Sequence, residues 1–337
     1  MNDATLLSRE LLQSAFACGA SDIHFYPLPK STAIYFRVHG KRILHKTLVA
    51  EQYTILLTYY KFTSGMDIGE IRKPQNGTLE MRDHASQFRY SLRLSTLPTS
   101  HTESLAIRIL PQDGQYDLKK LFLFPNQLNI VMKWLSKKSG LILFTGPTGS
   151  GKTTTMYALL ESYLKEQSCQ AITLEDPIEK TVDDILQVQV NEKAGMTYQA
   201  GLKAALRHDP DILMVGEIRD ASTAKFAFEA ALTGHLVLST LHAKNAVGTI
   251  HRLLEMGIAK SDIDQSLIAV ASVDLLTISI GSNSIRRAAI MELLEGEHLE
   301  DVIWNNKKTY ETYHNFEHLR KKAFAYGFIH EETYFSY

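Results

Sequence analysis

Gly146-Pro147-Thr148-Gly149-Ser150-Gly151-Lys152-Thr153 is a complete phosphate-binding loop, and it limits the fold more than any other stretch of the chain. Such a loop works between a buried strand and a helix N-terminus, because its backbone N–H groups must converge on the phosphates while the helix dipole faces them. The flanks fit: Leu141 to Thr145 is an apolar run of strand length, and Thr153 to Leu164 carries apolar residues at helical spacing. The pattern predicts a nucleoside triphosphate site on an α/β sheet. Gly146, Pro147, Thr148, Gly149, Ser150 and Gly151 would form the cradle, with Lys152 placed for the β/γ-phosphates, the Thr153 hydroxyl for Mg²⁺, and Thr154 beside it.

At 337 residues and net charge −1 the chain has room for two domains, and 45% hydrophobic with 22% charged residues matches a soluble globular protein. Cys18 and Cys169 are too few and too separated for a disulfide framework, which fits a reducing cytosol. The opening residues, with Asp3 and Glu10, lack the basic-then-apolar pattern of a signal peptide. Leu267 to Ile280 is the longest apolar run; it falls short of the roughly 20 residues of a membrane span and contains Asp274, so a core helix is expected there. Any membrane contact is then peripheral. Residues 1–110 hold 13 Lys/Arg and 9 Asp/Glu, net +4, against 23 and 28, net −5, for the rest. That basic part suits acidic protein, lipid headgroups or a neighbouring subunit's nucleotide, as well as a plain solvated surface.

Pro111, Asp113, Gly114 and Pro125 break the periodicity and place a linker at 111–125, between a first domain at 1–110 and a second at 126–337. Upstream, strands are expected at 23–25, 33–38, 77–81, 88–94 and 105–110 and helices at 6–17 and 52–62, a small α+β domain. Downstream, strand-like runs at 141–145, 171–174, 212–215 and 236–240 alternate with helical patterns at 153–164, 198–207, 221–232 and 246–256. That alternation implies a mainly parallel sheet covered on both faces, with ligands beyond the carboxyl ends of its strands.

The chemistry-bearing residues follow strands. Glu175-Asp176-Pro177-Ile178-Glu179 puts three carboxylates at one strand exit, where Glu175 and Asp176 would hold magnesium, partly through water, or position the attacking water. Ile212 to Val215 followed by Gly216-Glu217 resembles a Walker B strand with glycine in place of the usual aspartate, and Glu217 is the first candidate for polarising that water. His242 follows the strand 236–240 at the catalytic end, whereas His235 precedes it, at the other end or in a neighbouring contact. The strand between them is about 20 Å long and excludes a shared zinc ion.

Together these segments resemble the secretion-superfamily ATPases that power type II secretion and type IV pilus assembly, particularly the short competence-pilus branch. The family's four boxes correspond to 146–153, 173–179, 209–220 and 233–242. In the first domain Ala20-Ser21-Asp22-Ile23-His24, Gln75-Asn76-Gly77 and Leu92 to Thr99 are similar to its motifs. The resemblance implies a RecA-like P-loop domain preceded by a smaller α+β, PAS-like domain, and hydrolysis of ATP with Mg²⁺ by a homo-hexamer. It implies that Arg93 and Arg108 reach a neighbour's nucleotide, and that Arg207, Arg219 and His235 join the nucleotide-binding set. It also implies a cytoplasmic location on the membrane's inner face, with a polytopic inner-membrane platform protein and, through it, pseudopilins as partners in DNA uptake. No direct nucleic acid contact is expected, because the near-neutral chain lacks a basic stripe. A retraction motor, a DNA-translocating motor and a weakly hydrolysing nucleotide-sensing scaffold are the rival readings. The chain departs from larger members in having no Cys-x-x-Cys pairs, so no zinc is expected; their Gln-Arg-Leu stretch is not evident in 265–280, and 281–284 reads as a shortened connection.

Overall fold

In the computed structural model, which describes residues 3–83, 87–113, 117–280, 284–305 and 314–335, the chain divides into two units, Met1–Gly114 and Gln115–Tyr337. The first runs α1 (Asp3–Ala17), β1 (Asp22–Pro27), β2 (Ser31–Val38), β3 (Lys41–Val49), α2 (Ala50–Thr63), β4 (Gln75–Arg82), β5 (Arg89–Pro98) and β6 (Glu103–Pro111). Its six strands form one antiparallel sheet in the order β3-β2-β1-β6-β5-β4. Alternation along the strands sends Ile23, Phe25, Ile34, Phe36, Leu92 and Ile107 into one core with Leu11 of α1 and Leu56 and Tyr60 of α2. The other face carries a cross-strand row in which Arg93 sits opposite Arg108, Arg108 opposite Asp22, Asp22 opposite Arg37, and Arg37 opposite Arg42. β3 was not anticipated from the sequence, because most of it is exposed and shows no alternation.

The second unit runs α3 (Leu118–Leu121), α4 (Pro125–Leu135), β7 (Gly140–Thr145), α5 (Lys152–Glu166), β8 (Ala171–Glu175), β9 (Ile185–Gln189), α6 (Tyr198–Ala205), β10 (Ile212–Ile218), α7 (Ala221–Leu232) and β11 (Leu236–Leu241). It continues with α8 (Ala246–Glu255), α9 (Lys260–Ser266), β12 (Leu267–Ile280), β13 (Ser284–Glu295), α10 (Gly296–Asn305), α11 (Phe316–Ala325) and α12 (Glu331–Phe335). The sheet order is β13-β12-β7-β11-β10-β8-β9, parallel except for the β12–β13 pair. Two large apolar clusters sandwich it. One holds Leu143, Leu174, Val215 and Val237 with Ala227 and Ile250, the other Ile142, Phe144, Met214 and Leu238 with Met156 and Trp134.

The helix expected over Leu267 to Ile280 is a strand. β12 lies between β7 and β13 and is buried on both faces over most of its length, so its sequence is a continuous apolar run that periodicity cannot distinguish from a core helix. Ile268, Val270, Val273 and Ile278 are β-branched and suit the pleat. Asp274, the charged residue within it, pairs with Arg320 of α11 at 2.8 Å. The expected short connection at 281–284 falls largely outside the described residues. In the expected linker, β6 extends to Pro111 and α3 occupies Leu118–Leu121. No helix among the described residues is long and apolar enough to cross a membrane.

One ion pair lies inside the first unit. Lys61 and Glu103 are 2% and 3% exposed, their charged atoms 2.7 Å apart, and the Lys61 ammonium also donates to the Glu70 carbonyl at 2.7 Å. Removing one partner strands a buried charge, which costs more than losing both. Glu103→Ala should lower stability by about 3–5 kcal/mol in denaturant unfolding of the full chain. The double change Lys61→Met with Glu103→Leu should recover most of that loss, and equal losses in both variants would contradict this assignment.

Candidate nucleotide site

Four parallel neighbours, β7, β11, β10 and β8, end at the same edge of the sheet, so the segments that follow them meet there although they are far apart in sequence. The phosphate-binding loop leaves β7. Gly146 has φ +138°, and a Cβ there would meet the Val273 carbonyl oxygen at 2.5 Å and Ser150 Oγ at 2.8 Å, so only glycine lets the loop pass this close to β12. Lys152 opens α5 and is buried; its Nζ donates to the Gly146 and Pro147 carbonyls at 2.9 and 3.0 Å. Burial pushes the Lys152 ammonium below its ordinary pKa, while Glu217 and Glu179 pull it back up. Ser150 Oγ is buried without a hydrogen-bond partner.

This cradle fits a phosphate. An anionic oxygen beside Lys152 Nζ replaces two neutral carbonyl acceptors with a charged one, which is the stronger bond. Thr153 and Thr154 follow on the first turn, both half-buried. No group of three or more His, Cys, Asp or Glu side chains able to hold a metal occurs among the described residues. A magnesium ion bound with a nucleotide would not need such a group, since the Thr153 hydroxyl, phosphate oxygens and water would complete its shell.

Glu217 leaves the ladder at a bulge, where the pairing of β10 with β11 shifts between Val215 and Ile218. Its carboxylate is held on both oxygens: Arg219 Nε donates to Oε2 at 3.0 Å, and His242 Nε2 lies 3.1 Å from Oε1. Arg219 also reaches Asp176, Nη1 to Oδ2 at 3.1 Å, so the segments after β8, β10 and β11 are tied into one chain of charges. The glycine that stands in the Walker B aspartate position has a packing reason. A Cβ on Gly216 would lie 3.2 Å from the Leu174 carbonyl oxygen, against the backbone of β8.

Glu175 is buried at the end of β8 and its Oε1 accepts from Tyr157 Oη at 2.5 Å, Thr173 Oγ1 at 2.7 Å and Gln187 Nε2 at 3.3 Å. Burial, and then the neighbouring carboxylate, push the Tyr157 phenol far above its ordinary pKa. Tyr157 and Gln187 were missed as site residues. In the sequence Tyr157 reads as one more core aromatic on a helix, and Gln187 lies in β9, a short edge strand that shows no clear alternation.

Several expected residues lie apart from this cluster. Arg207 is exposed in the turn after α6, its Nε donating to the Lys203 carbonyl at 3.2 Å. His235 stands at the entry of β11, with its carbonyl accepting from Gly140 N and its Nδ1 3.2 Å from Thr233 Oγ1. The length of β11, roughly 20 Å, separates it from the exit edge, so His235 does not join the nucleotide-binding set of its own chain. Arg93 and Arg108 face each other across β5 and β6 of the first unit, and Arg108 Nε donates to Asp22 at 3.0 Å.

Comparison with known proteins agrees with this arrangement. The Type II/IV secretion system protein family matches residues 4–327. Competence protein ComGA of Bacillus subtilis (strain 168) is 43% identical over 99% of this chain and 98% of its own length. ComGA of Halalkalibacterium halodurans is 41% identical over 96% of both. The type II secretion system protein E of Aeromonas hydrophila is 41% identical over 80% of this chain but only 54% of its own. Among solved structures, the Legionella pneumophila ATPase DotB superposes with TM-score 0.78 at 22% identity, over 98% of this chain and 95% of that one, a likeness of fold. The pilus retraction motor PilT with bound ADP gives 0.69 at 26%, over 97% and 96%. The chain thus belongs to the Type II/IV secretion system protein family and is a P-loop ATPase of the secretion type.

Proposed function

We propose that the chain is the ATP-hydrolysing subunit of a hexameric ring that assembles a competence pseudopilus for DNA uptake. The observation that carries this reading is the likeness to two competence proteins along nearly the whole of both chains, with a strand-exit cluster of acids around the phosphate loop. The second unit supplies a RecA-like motor domain, and the first, up to about the linker at 111–125, the part that moves against a neighbouring copy.

The Gly146 to Thr153 loop binds the triphosphate of ATP, with Lys152 against the β/γ-phosphates. Magnesium held by Thr153, with Glu175 and Asp176 through water, would neutralise charge on the phosphates. Glu217 accepts the proton side of the attacking water, and His242 and Arg219 hold that carboxylate and read the γ-phosphate. Arg93 and Arg108 are offered to the nucleotide of an adjacent copy, where a trans arginine contributes a factor on the order of 10³–10⁵ in rate. Closure on ATP and reopening after hydrolysis pass movement to a polytopic platform protein in the membrane, and through it to pseudopilins. Extracting a pseudopilin helix of about 20 apolar residues from lipid costs tens of kcal/mol at roughly 1.5–3 per large side chain, a load for several subunits rather than one. The likeness to PilT favours one second reading, retraction, and a deletion strain separates the two: loss of surface fibres supports assembly, accumulation of fibres supports retraction.

Glu217→Gln should leave ATP affinity within a few-fold while turnover falls about 10²–10⁴-fold, and transformation should fall with it. Measured by nucleotide titration and steady-state hydrolysis, an unchanged turnover would remove Glu217 from the role of base and favour a sensing scaffold. Lys152→Ala and Arg93→Ala each should abolish most hydrolysis alone. Rings mixed from the two should recover part of it, because some sites then combine an intact loop with an intact arginine; confirmed mixed rings without recovery would count against action in trans.

A further inference from the structure

The β2–β3 hairpin and its flanks carry cations without carboxylates. Between Asp22 and Glu51 there is no acidic residue, while Lys30, Arg37, Lys41, Arg42 and Lys46 are all present. Arg37 approaches Asp22 at 3.8 Å. Lys30, Lys41, Arg42 and Lys46 form no ion pair among the described residues. Elsewhere in the first unit Lys61 is answered by Glu103, Arg89 by Asp113 and Arg108 by Asp22.

The same hairpin exposes large apolar side chains where a solvated surface would not. Ile43 pairs across the sheet with Phe36 and Leu44 with Tyr35. As consecutive strand residues they point to opposite faces, yet they are 52% and 56% exposed. The outer half of β3 thus extends past the core that covers its inner half, where Leu48 is buried. On one face, the Arg42 guanidinium lies over the rings of Tyr26 and Tyr35, 4.4 and 3.7 Å from their centroids, with Tyr26 itself half exposed.

We propose that this hairpin edge is a lipid-contacting element, which seats Ile43 and Leu44 in the anionic headgroup layer of a membrane with Lys30, Lys41, Arg42 and Lys46 against the phosphates. Three features favour lipid over an acidic protein. A protein surface laid on the hairpin covers one face and leaves the other apolar residue in water, whereas a fluid headgroup layer surrounds both. β3 is an edge strand, but Lys41 and Lys46 together with the irregularity opposite Ile34 and Tyr35 work against addition of a partner strand. Tyrosine and arginine, apolar in body and polar at the tip, are at home at the depth where hydrocarbon gives way to headgroups. The inference is independent of the motor reading.

The test uses the full chain without nucleotide and sedimentation with vesicles. Binding is expected to phosphatidylglycerol vesicles at low salt, to be weak to phosphatidylcholine vesicles, and to fall as salt is raised. Lys41→Gln with Lys46→Gln should weaken the partition about 30-fold. Ile43→Ser with Leu44→Ser should remove the part of the binding that survives high salt. Unaltered ATP hydrolysis by both variants shows that they fold. Failure to sediment with phosphatidylglycerol, or equal binding by wild type and both variants, overturns the proposal. Binding to poly-glutamate through the same residues without binding to vesicles also overturns it, in favour of an acidic protein partner.

Discussion

Parallel alignment of β7, β11, β10 and β8 is the constraint on which the site depends, because it delivers four chain-distant exits to one edge. A parallel ladder leaves backbone carbonyls at its ends in need of donors, and a buried carbonyl without one is costly. Three hydroxyls supply them: Thr145 Oγ1 donates to the Leu241 carbonyl, Ser239 Oγ to Val215 and Thr240 Oγ1 to Gly216, at 2.7–2.8 Å. These side chains stitch β7 to β11 and β11 to β10 just below the loops that carry Lys152, Glu217 and His242. The exit edge is therefore hydrogen-bonded across strands where the chain leaves the sheet, which supports the short segments that follow.

Charge is arranged on that edge with the same economy. Of the carboxylates near a loop built for an anion, Glu175, Asp176 and Glu217 are each countered differently. Glu175 is turned inward to Tyr157, Thr173 and Gln187; Asp176 is paired with Arg219; Glu217 is shared between Arg219 and His242. Each oxygen of Glu217 keeps a lone pair beyond the one given to Arg219 or His242, so on the proposed mechanism it can accept from water while held. The link from Arg219 to Asp176 gives the guanidinium a second anchor, so Arg219 can release Glu217 without losing all compensation. The bulge at Gly216–Glu217 makes this possible, since an in-register Glu217 would follow the alternation of β10 instead of turning to the exit edge.

Much of this was legible in the sequence because the strands flanking the site are short, apolar and followed directly by polar punctuation. The pattern of Ala221 to Leu232 matches α7 at both ends, where Asp220 caps the helix by accepting from Thr223 N at 2.7 Å. What was not legible shares one cause: the signal lay in tertiary context. β12 is apolar on both faces because a cluster packs on each side of it, Val270 joining one and Ala269, Ala271 and Val273 the other. β3 and β9 are sheet edges with too little burial to impose a period of two. Tyr157 differs from a core aromatic solely in what its hydroxyl meets.

The outer face of the first unit's sheet shows how one basic surface can serve two purposes. Arginines opposite one another across strands repel, and the row Arg93, Arg108, Asp22, Arg37, Arg42 has its carboxylate in the middle, with Arg108 at 3.0 Å on one side and Arg37 at 3.8 Å on the other. Asp22 thereby divides the positive charge. Arg93 and Arg108, on β5 and β6, form one group, and the cations of β2 and β3 form another. The nearest members of the two groups, Arg108 on β6 and Arg37 on β2, are two strand intervals apart, about 10 Å at the usual spacing, close to the screening length in physiological salt. A hairpin given over to an anionic surface and an arginine pair given over to a neighbour's phosphates would share Asp22 as the carboxylate between them.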